Sequence, residues 1–188
     1  MPKIVDHDRY RKELLSNCLD LFAKRGYGSI TMRQIAQALG VSTGTLYHYF
    51  PSKESIFIQL VQELCEKDIA AFFAQAPFGE TVGDRLRIVM TFFLDNVKAY
   101  QQQILLWVDF YQHSQRNVID DSQFLHDVWQ RTHDQLADYL QLSSPDYVDF
   151  VLVFIDGLLL QVLYDRGDAE YAWIEQQTAL LIGLLDSA

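Results

Sequence analysis

Apolar residues recur along this chain at intervals of three and four, in blocks punctuated by Gly, Pro and Ser. That spacing lines them along one side of an α-helix rather than alternating them across a strand. After a loose tail from Pro2 to His7, the block Asp8 to Arg25 aligns Leu14, Leu15, Cys18, Leu19 and Phe22. Lys24 and Arg25 suit the negative C-terminal end of that helix, and Gly26 is a natural stop. Two short blocks follow. Ile35, Ala36 and Leu39 share a face of a helix that Thr31 caps; Gln34, three residues on, completes a capping box, and Ile30 with Ile35 forms a hydrophobic staple. Gly40 supplies the left-handed residue that ends it. Ser42 caps the next helix, in which Leu46, Tyr49 and Phe50 share a face, and Pro51 stops it.

Ser52 then caps a helix from about Lys53 to Ala76, with Ile56, Leu60, Leu64 and Ile69 as its inner stripe. Thr81 and Asp84 resemble a second capping box, opening a helix from Val82 to Tyr100; Gln101 to Ser114 reads as a separate or kinked continuation. Asp121 to Leu142 is amphipathic. Ser144 and Pro145 read as N-cap and first residue of a helix over Asp146 to Tyr164. Arg166-Gly167-Asp168 is a turn and cap, and a last helix runs from Ala169 to Leu185. The pattern predicts an all-α chain of about nine helices with no convincing strand. The stripe of the first helix should pack on Ile35, Ala36, Leu39, Leu46 and Phe50. That gives a three-helix domain over residues 1–52 and a larger helical domain over 53–188, joined through the helix that starts at Lys53.

Helix, glycine turn, helix is the sequence form of a helix-turn-helix, whose second helix enters a DNA major groove. The run Thr31-Met-Arg-Gln-Ile-Ala, then Gly40-Val-Ser, then Gly44-Thr-Leu-Tyr-His-Tyr-Phe-Pro-Ser-Lys-Glu54 resembles the DNA-binding signature of the TetR family of transcriptional regulators. The likeness is nearly unbroken from Arg11 to Phe57; beyond it, only length and helical pattern agree. It implies phosphate contacts from Thr31, Thr45, Tyr47, His48 and Lys53. The family often carries a basic residue where this chain has Thr43, so base contacts at that position do not carry over from the resemblance.

The chemistry of the outward residues agrees with a reading head. Arg33 can fork to guanine O6 and N7 or bind phosphate, Thr43 and Thr45 can hydrogen-bond bases, and Gly44 permits close backbone approach. The net charge of −10 argues against DNA until its distribution is counted. Residues 1–55 carry eight basic and five acidic side chains, a local +3, while residues 56–188 carry seven basic and twenty acidic, a local −13. One end faces phosphate and the other does not. So few cations in one head call for two heads on two half-sites, hence a homodimer and a pseudo-palindromic operator.

In the acidic part, Val148 to Leu163 is apolar almost all round and should be buried on every side. The final helix offers Trp173, Leu180, Leu181, Leu184 and Leu185. The resemblance implies that these last two helices pair with their symmetry mates in a four-helix bundle. It also implies a small-molecule pocket among the intervening helices, which are dense in aromatics: Phe92, Phe93, Tyr100, Trp107, Phe110, Tyr111, Phe124, Trp129 and Tyr139. Phe93, Trp107, Phe110, Tyr111 and Trp129 are the expected ligand contacts, although most single aromatics serve ordinary cores. Asp95, Asp109 and Asp156 lie in largely apolar helices, so each is exposed, paired, or waiting for a cationic ligand.

Other chemistries find little support. Cys18 and Cys65 sit in apolar helical patterns and read as small buried hydrophobes. His126, Trp129 and His133 are spaced three and four apart; two histidines seven apart are a poor metal pair and read as solvent-facing. There is no Gly-rich phosphate loop, no GxSxG elbow and no HExxH, so neither an enzyme nor a cofactor or metal is expected. With no signal peptide and no uncharged run of about 18 residues, a soluble cytoplasmic protein is expected. The sequence therefore reads as a ligand-responsive repressor that binds duplex DNA as a dimer. The alternatives are a helix-turn-helix activator or a regulator controlled by a protein partner.

Overall fold

A computed structural model describes residues 6–114, 123–163 and 170–185. Among them are eight helices and no strand: α1 His7–Arg25, α2 Met32–Ala38, α3 Thr43–Tyr49, α4 Lys53–Gln75, α5 Val82–His113, α6 Gln123–Leu140, α7 Pro145–Val162 and α8 Glu170–Leu185. The expected turn at Arg166-Gly167-Asp168, the start at Asp121 and the side chain of Phe124 lie outside the described residues. Val82–Tyr100 and Gln101–Ser114 are not separate: α5 runs unbroken to His113. Gln101 to Gln103 carry no breaker, and Gln101 Nε2 donates to Val162 O at 3.1 Å, so a polar surface patch explains the gap in the apolar pattern.

Local chemistry sets the element ends. Asp6 caps α1 by accepting from Arg9 N, and Gly26, at φ 78°, ends it. Thr31 and Gln34 form the capping box of α2. Gly40 turns the chain at φ 68°. Ser42 accepts from Thr45 N to cap α3, and Phe50, extended before Pro51, closes it. At the start of α4, Ser52 and Ser55 cap each other's backbone N–H groups. Thr81 and Asp84 do the same for α5. Ser144 caps α7 and Pro145 occupies its first turn.

The chain divides into two compact units, Met1–Asp68 with Leu105–His126, and Ile69–Ile104 with Asp127–Ala188. The first unit has one core. Leu14, Leu15, Cys18 and Phe22 of α1 meet Ile35 and Ala36 of α2, Leu46 of α3 with Phe50, Ile56, Phe57 and Leu60 of α4, and Leu106 and Phe110 of α5. Burial pushes the Cys18 thiol up to about 12, as expected of an inert core cysteine. Cys65 is only half-buried, short of the burial expected for it.

The second unit has two clusters, one around Phe72, Leu86, Tyr139, Leu140 and Leu181, the other around Met90, Phe93, Leu158 and Ile174. Arg85 is buried there. Its Nε donates to Leu140 O at 2.8 Å and its guanidinium to Gly79 O at 3.0 Å, which satisfies carbonyls at the end of α6 and before α5. α7 is not covered on every side. Val148, Val151, Leu158 and Val162 are buried, but Phe150, Val153 and Leu160 are exposed.

Candidate nucleic-acid interface

The recognition helix α3 has two unlike sides. Leu46 and the following Phe50 are wholly buried in the core of the first unit. Thr43, Gly44, Tyr47 and His48 face solvent, Tyr47 with half its surface exposed. Thr45 is half-buried, its hydroxyl 2.8 Å from Ser42 Oγ. The period of 3.6 produces this division: positions 43, 44, 47 and 48 form one flank, 46 and 50 the other. On α2, Arg33 is exposed and makes no ion pair among the described residues. Thr31, at the head of α2, is exposed, its hydroxyl donating to Gln34 Oε1 at 2.9 Å.

Tyr49 steadies α3 from behind. Its hydroxyl lies 2.8 Å from His7 Nδ1, and its ring packs edge-on against Tyr10 of α1. His48 also lies edge-on to the ring of His7. His7 had no signal in the apolar pattern, because it precedes the first stripe.

Lys53 departs from its expected role. Its ammonium turns inward, donating to Tyr27 O at 2.8 Å and Ile30 O at 3.0 Å, and it sits 4.1 Å from the centre of the Tyr27 ring. Burial lowers its pKa, partly offset by Glu54 and Asp109. The side chain that the signature assigns to phosphate is occupied in holding the turn before α2.

The residues expected around a ligand are divided between the two units. Phe110 is buried in the first unit's core, stacked on Phe57 with ring centres 4.0 Å apart, and Trp107 lies edge-on to both rings. Tyr111 is exposed on the same stretch of α5. Phe93 belongs to the second unit, stacked on Tyr100 at 5.8 Å. Trp129 is exposed on α6 with its ring over His133. Sequence period alone assigns each to a face and cannot say which faces meet.

His133 is not solvent-facing as expected. Its side chain is 12% exposed and its Nε2 lies 3.2 Å from Asp149 Oδ1 of α7. No group of three His, Cys, Asp or Glu side chains among the described residues is placed to hold a metal. A groove of about 440 Å³ runs between α1 and α4, lined by Leu15, Leu19, Leu60, Leu64 and flanking charges. None of the expected ligand residues lines it. No helix among the described residues is long and apolar enough to cross a membrane.

Residues 14–60 match the sequence profile of the bacterial regulatory proteins of the tetR family. Over 170 residues the chain is 28% identical to the HTH-type transcriptional regulator BetI of Brucella canis, spanning 86% of this chain and 83% of that one. The fold is similar to that of the transcriptional regulator FadR from Bacillus subtilis, solved with stearoyl-CoA. That match has a TM-score of 0.73 at 20% identity and covers 91% of this chain and 97% of that one. It is also similar to a regulator from Saccharomonospora viridis solved with choline, with a TM-score of 0.71 at 19% identity, covering 94% and 96%. A capped α2, a glycine turn and an α3 that shows solvent a polar flank all fall within the matched residues 14–60, and the chain carries the DNA-binding domain of the TetR family of transcriptional regulators.

Proposed function

We propose that the chain acts in the cytoplasm as a dimeric repressor released by a small hydrophobic or aromatic molecule. Two copies pair through α7 and α8 and set two α3 helices into successive major grooves of a pseudo-palindromic operator. The effector binds in the helical region beyond Lys53 and favours a disposition of the heads that no longer fits. The coupling is bounded by the effector's differential affinity for the two states.

The observation that carries this reading is the division of α3, whose inner flank is wholly buried while Thr43, Gly44, Tyr47 and His48 stay in solvent. Pairing is supported by Phe150, Val153 and Leu160 on α7 and Leu180 and Leu184 on α8, all large, apolar and exposed. A Cβ added at Gly157 or Gly183 would meet nothing within 4 Å, so both helices offer room for close approach.

For the effector, the carboxylates argue against a cation. Asp95 and Asp156 are exposed, and Asp109 accepts hydrogen bonds from Tyr27 N and Gly28 N. None of the three is fully buried without a partner; Asp156 has exposed surface, although desolvation raises its carboxyl. A regulator controlled by a protein partner is favoured by one feature, the exposure of Tyr111 and Trp129.

The test is a salt titration of affinity for random and genomic duplex fragments. Binding should weaken steeply as salt rises, with some fragments preferred. Negligible affinity for every fragment at low salt ends the regulator reading.

A further inference from the structure

The turn between α1 and α2, residues 26–30, is gripped from two sides within the first unit. From α5, Asp109 Oδ2 accepts from Tyr27 N at 2.5 Å and from Gly28 N at 3.3 Å. From α4, Lys53 Nζ donates to the carbonyls of Tyr27 and Ile30. One carboxylate thus takes the turn's N–H groups and one ammonium takes its C=O groups, charge-assisted at both ends.

The turn is shaped for this. Gly26 sits at φ 78°, and a Cβ there would come 3.0 Å from Asp109 Oδ2. A Cβ on Gly28 would come 2.6 Å from the ring of His113, whose Nδ1 is 2.8 Å from the second Asp109 oxygen. The Tyr27 side chain anchors the same turn, wholly buried against Phe22, Phe57 and Phe110.

Thr31, the cap of α2, follows Ile30 directly. Fixing the turn therefore fixes where α2 begins, and with it α3. α5 is one unbroken helix from Val82 to His113, so the group that holds the turn belongs to a helix whose first part lies in the other unit.

We propose that Asp109 is a positioning residue for DNA binding: by holding the amides of Tyr27 and Gly28 it sets the reading head. This rests on the DNA-binding reading above. Asp109 touches no DNA in this scheme, which gives it a signature of its own. Losing it lowers affinity without removing a phosphate contact.

The experiment compares the full-length chain with Asp109→Asn, which keeps shape and one acceptor oxygen, and with Asp109→Ala. The probe is a duplex that the wild-type chain selects from a random-sequence library, titrated at several salt concentrations well below the unfolding temperature. Amide exchange is followed in parallel. Asp109→Asn should bind about tenfold more weakly, the scale of one charge-assisted hydrogen bond. Its salt slope should be unchanged, and the Tyr27 and Gly28 amides should exchange faster while the α4 core stays protected. Asp109→Ala should weaken binding further.

Wild-type affinity retained within twofold by Asp109→Asn, or Tyr27 and Gly28 amides that exchange no faster, overturns the proposal alone. So does a drop in affinity accompanied by a shallower salt slope, since that marks a lost phosphate contact. A wild-type chain that selects no duplex overturns the DNA-binding reading, and this proposal with it.

Discussion

α3 and α7 are both two-sided helices, and their exposed sides differ in kind. α3 buries Leu46 behind a polar flank of Thr43, Tyr47 and His48, whereas α7 buries Val148, Val151 and Leu158 and leaves Phe150, Val153 and Leu160 in solvent. A polar flank loses little by being hydrated, so it can wait for DNA. An apolar flank gains from being covered, at about 25 cal/mol per Å², and favours a lasting partner. The difference separates a surface suited to transient polar contact from one suited to permanent pairing.

Phe110 is buried in the core of the first unit. Phe110→Ala empties the space stacked on Phe57 and should cost about 3–5 kcal/mol of stability, read by urea denaturation. If instead the loss is small and effector response disappears, Phe110 belongs to a ligand wall.

Val153→Asp puts a charge on the most exposed apolar residue of α7. The fold should survive, while dimerisation should weaken on the order of 100-fold or more, because pairing would bury an unpaired carboxylate. Sedimentation velocity reads this, and an unchanged mass distribution would move the dimer surface elsewhere.

Tyr47→Ala combined with His48→Ala should change stability by less than about 0.5 kcal/mol. The same pair should lower affinity for all duplexes by roughly tenfold, with little change in preference among sequences.

The smallest effect concerns Asp156, which lies on α7 between Val153 and Leu160. Desolvation raises its carboxyl above the ordinary 3.8. A raised carboxylate favours the protonated form. Any pairing that deepens its burial is therefore strongest in mild acid and weakens as pH climbs through the raised value. Asp156→Asn should remove that dependence and tighten the dimer at pH 7, measured as the dimer dissociation constant against pH.

The first unit was largely readable from local signals. Thr31–Gln34, Gly40, Ser42 and Pro51 each dictate a cap or a stop through their own chemistry, and each lies where the pattern puts it. Contacts between distant segments left no such mark. Lys53 sits in a signature that points it at phosphate, yet the carbonyls of Tyr27 and Ile30 lie closer to hand. Asp109 stood out as an acid in an apolar helix, but besides His113 one turn on, its partners are backbone amides about 80 residues earlier, which no side-chain pattern encodes. Phe110 and Phe93 look alike in sequence and serve different units, because period assigns a face and not the neighbour it meets.

In the proposed complex each copy supplies one head and each site takes two copies. Native mass spectrometry of the chain with a selected duplex, repeated with Val153→Asp, tests it most directly. Wild type should give two chains per duplex with no stable singly bound species, and the variant should bind the same duplex only weakly and singly. Tight binding of one wild-type chain to one duplex, unaffected by Val153→Asp, contradicts it.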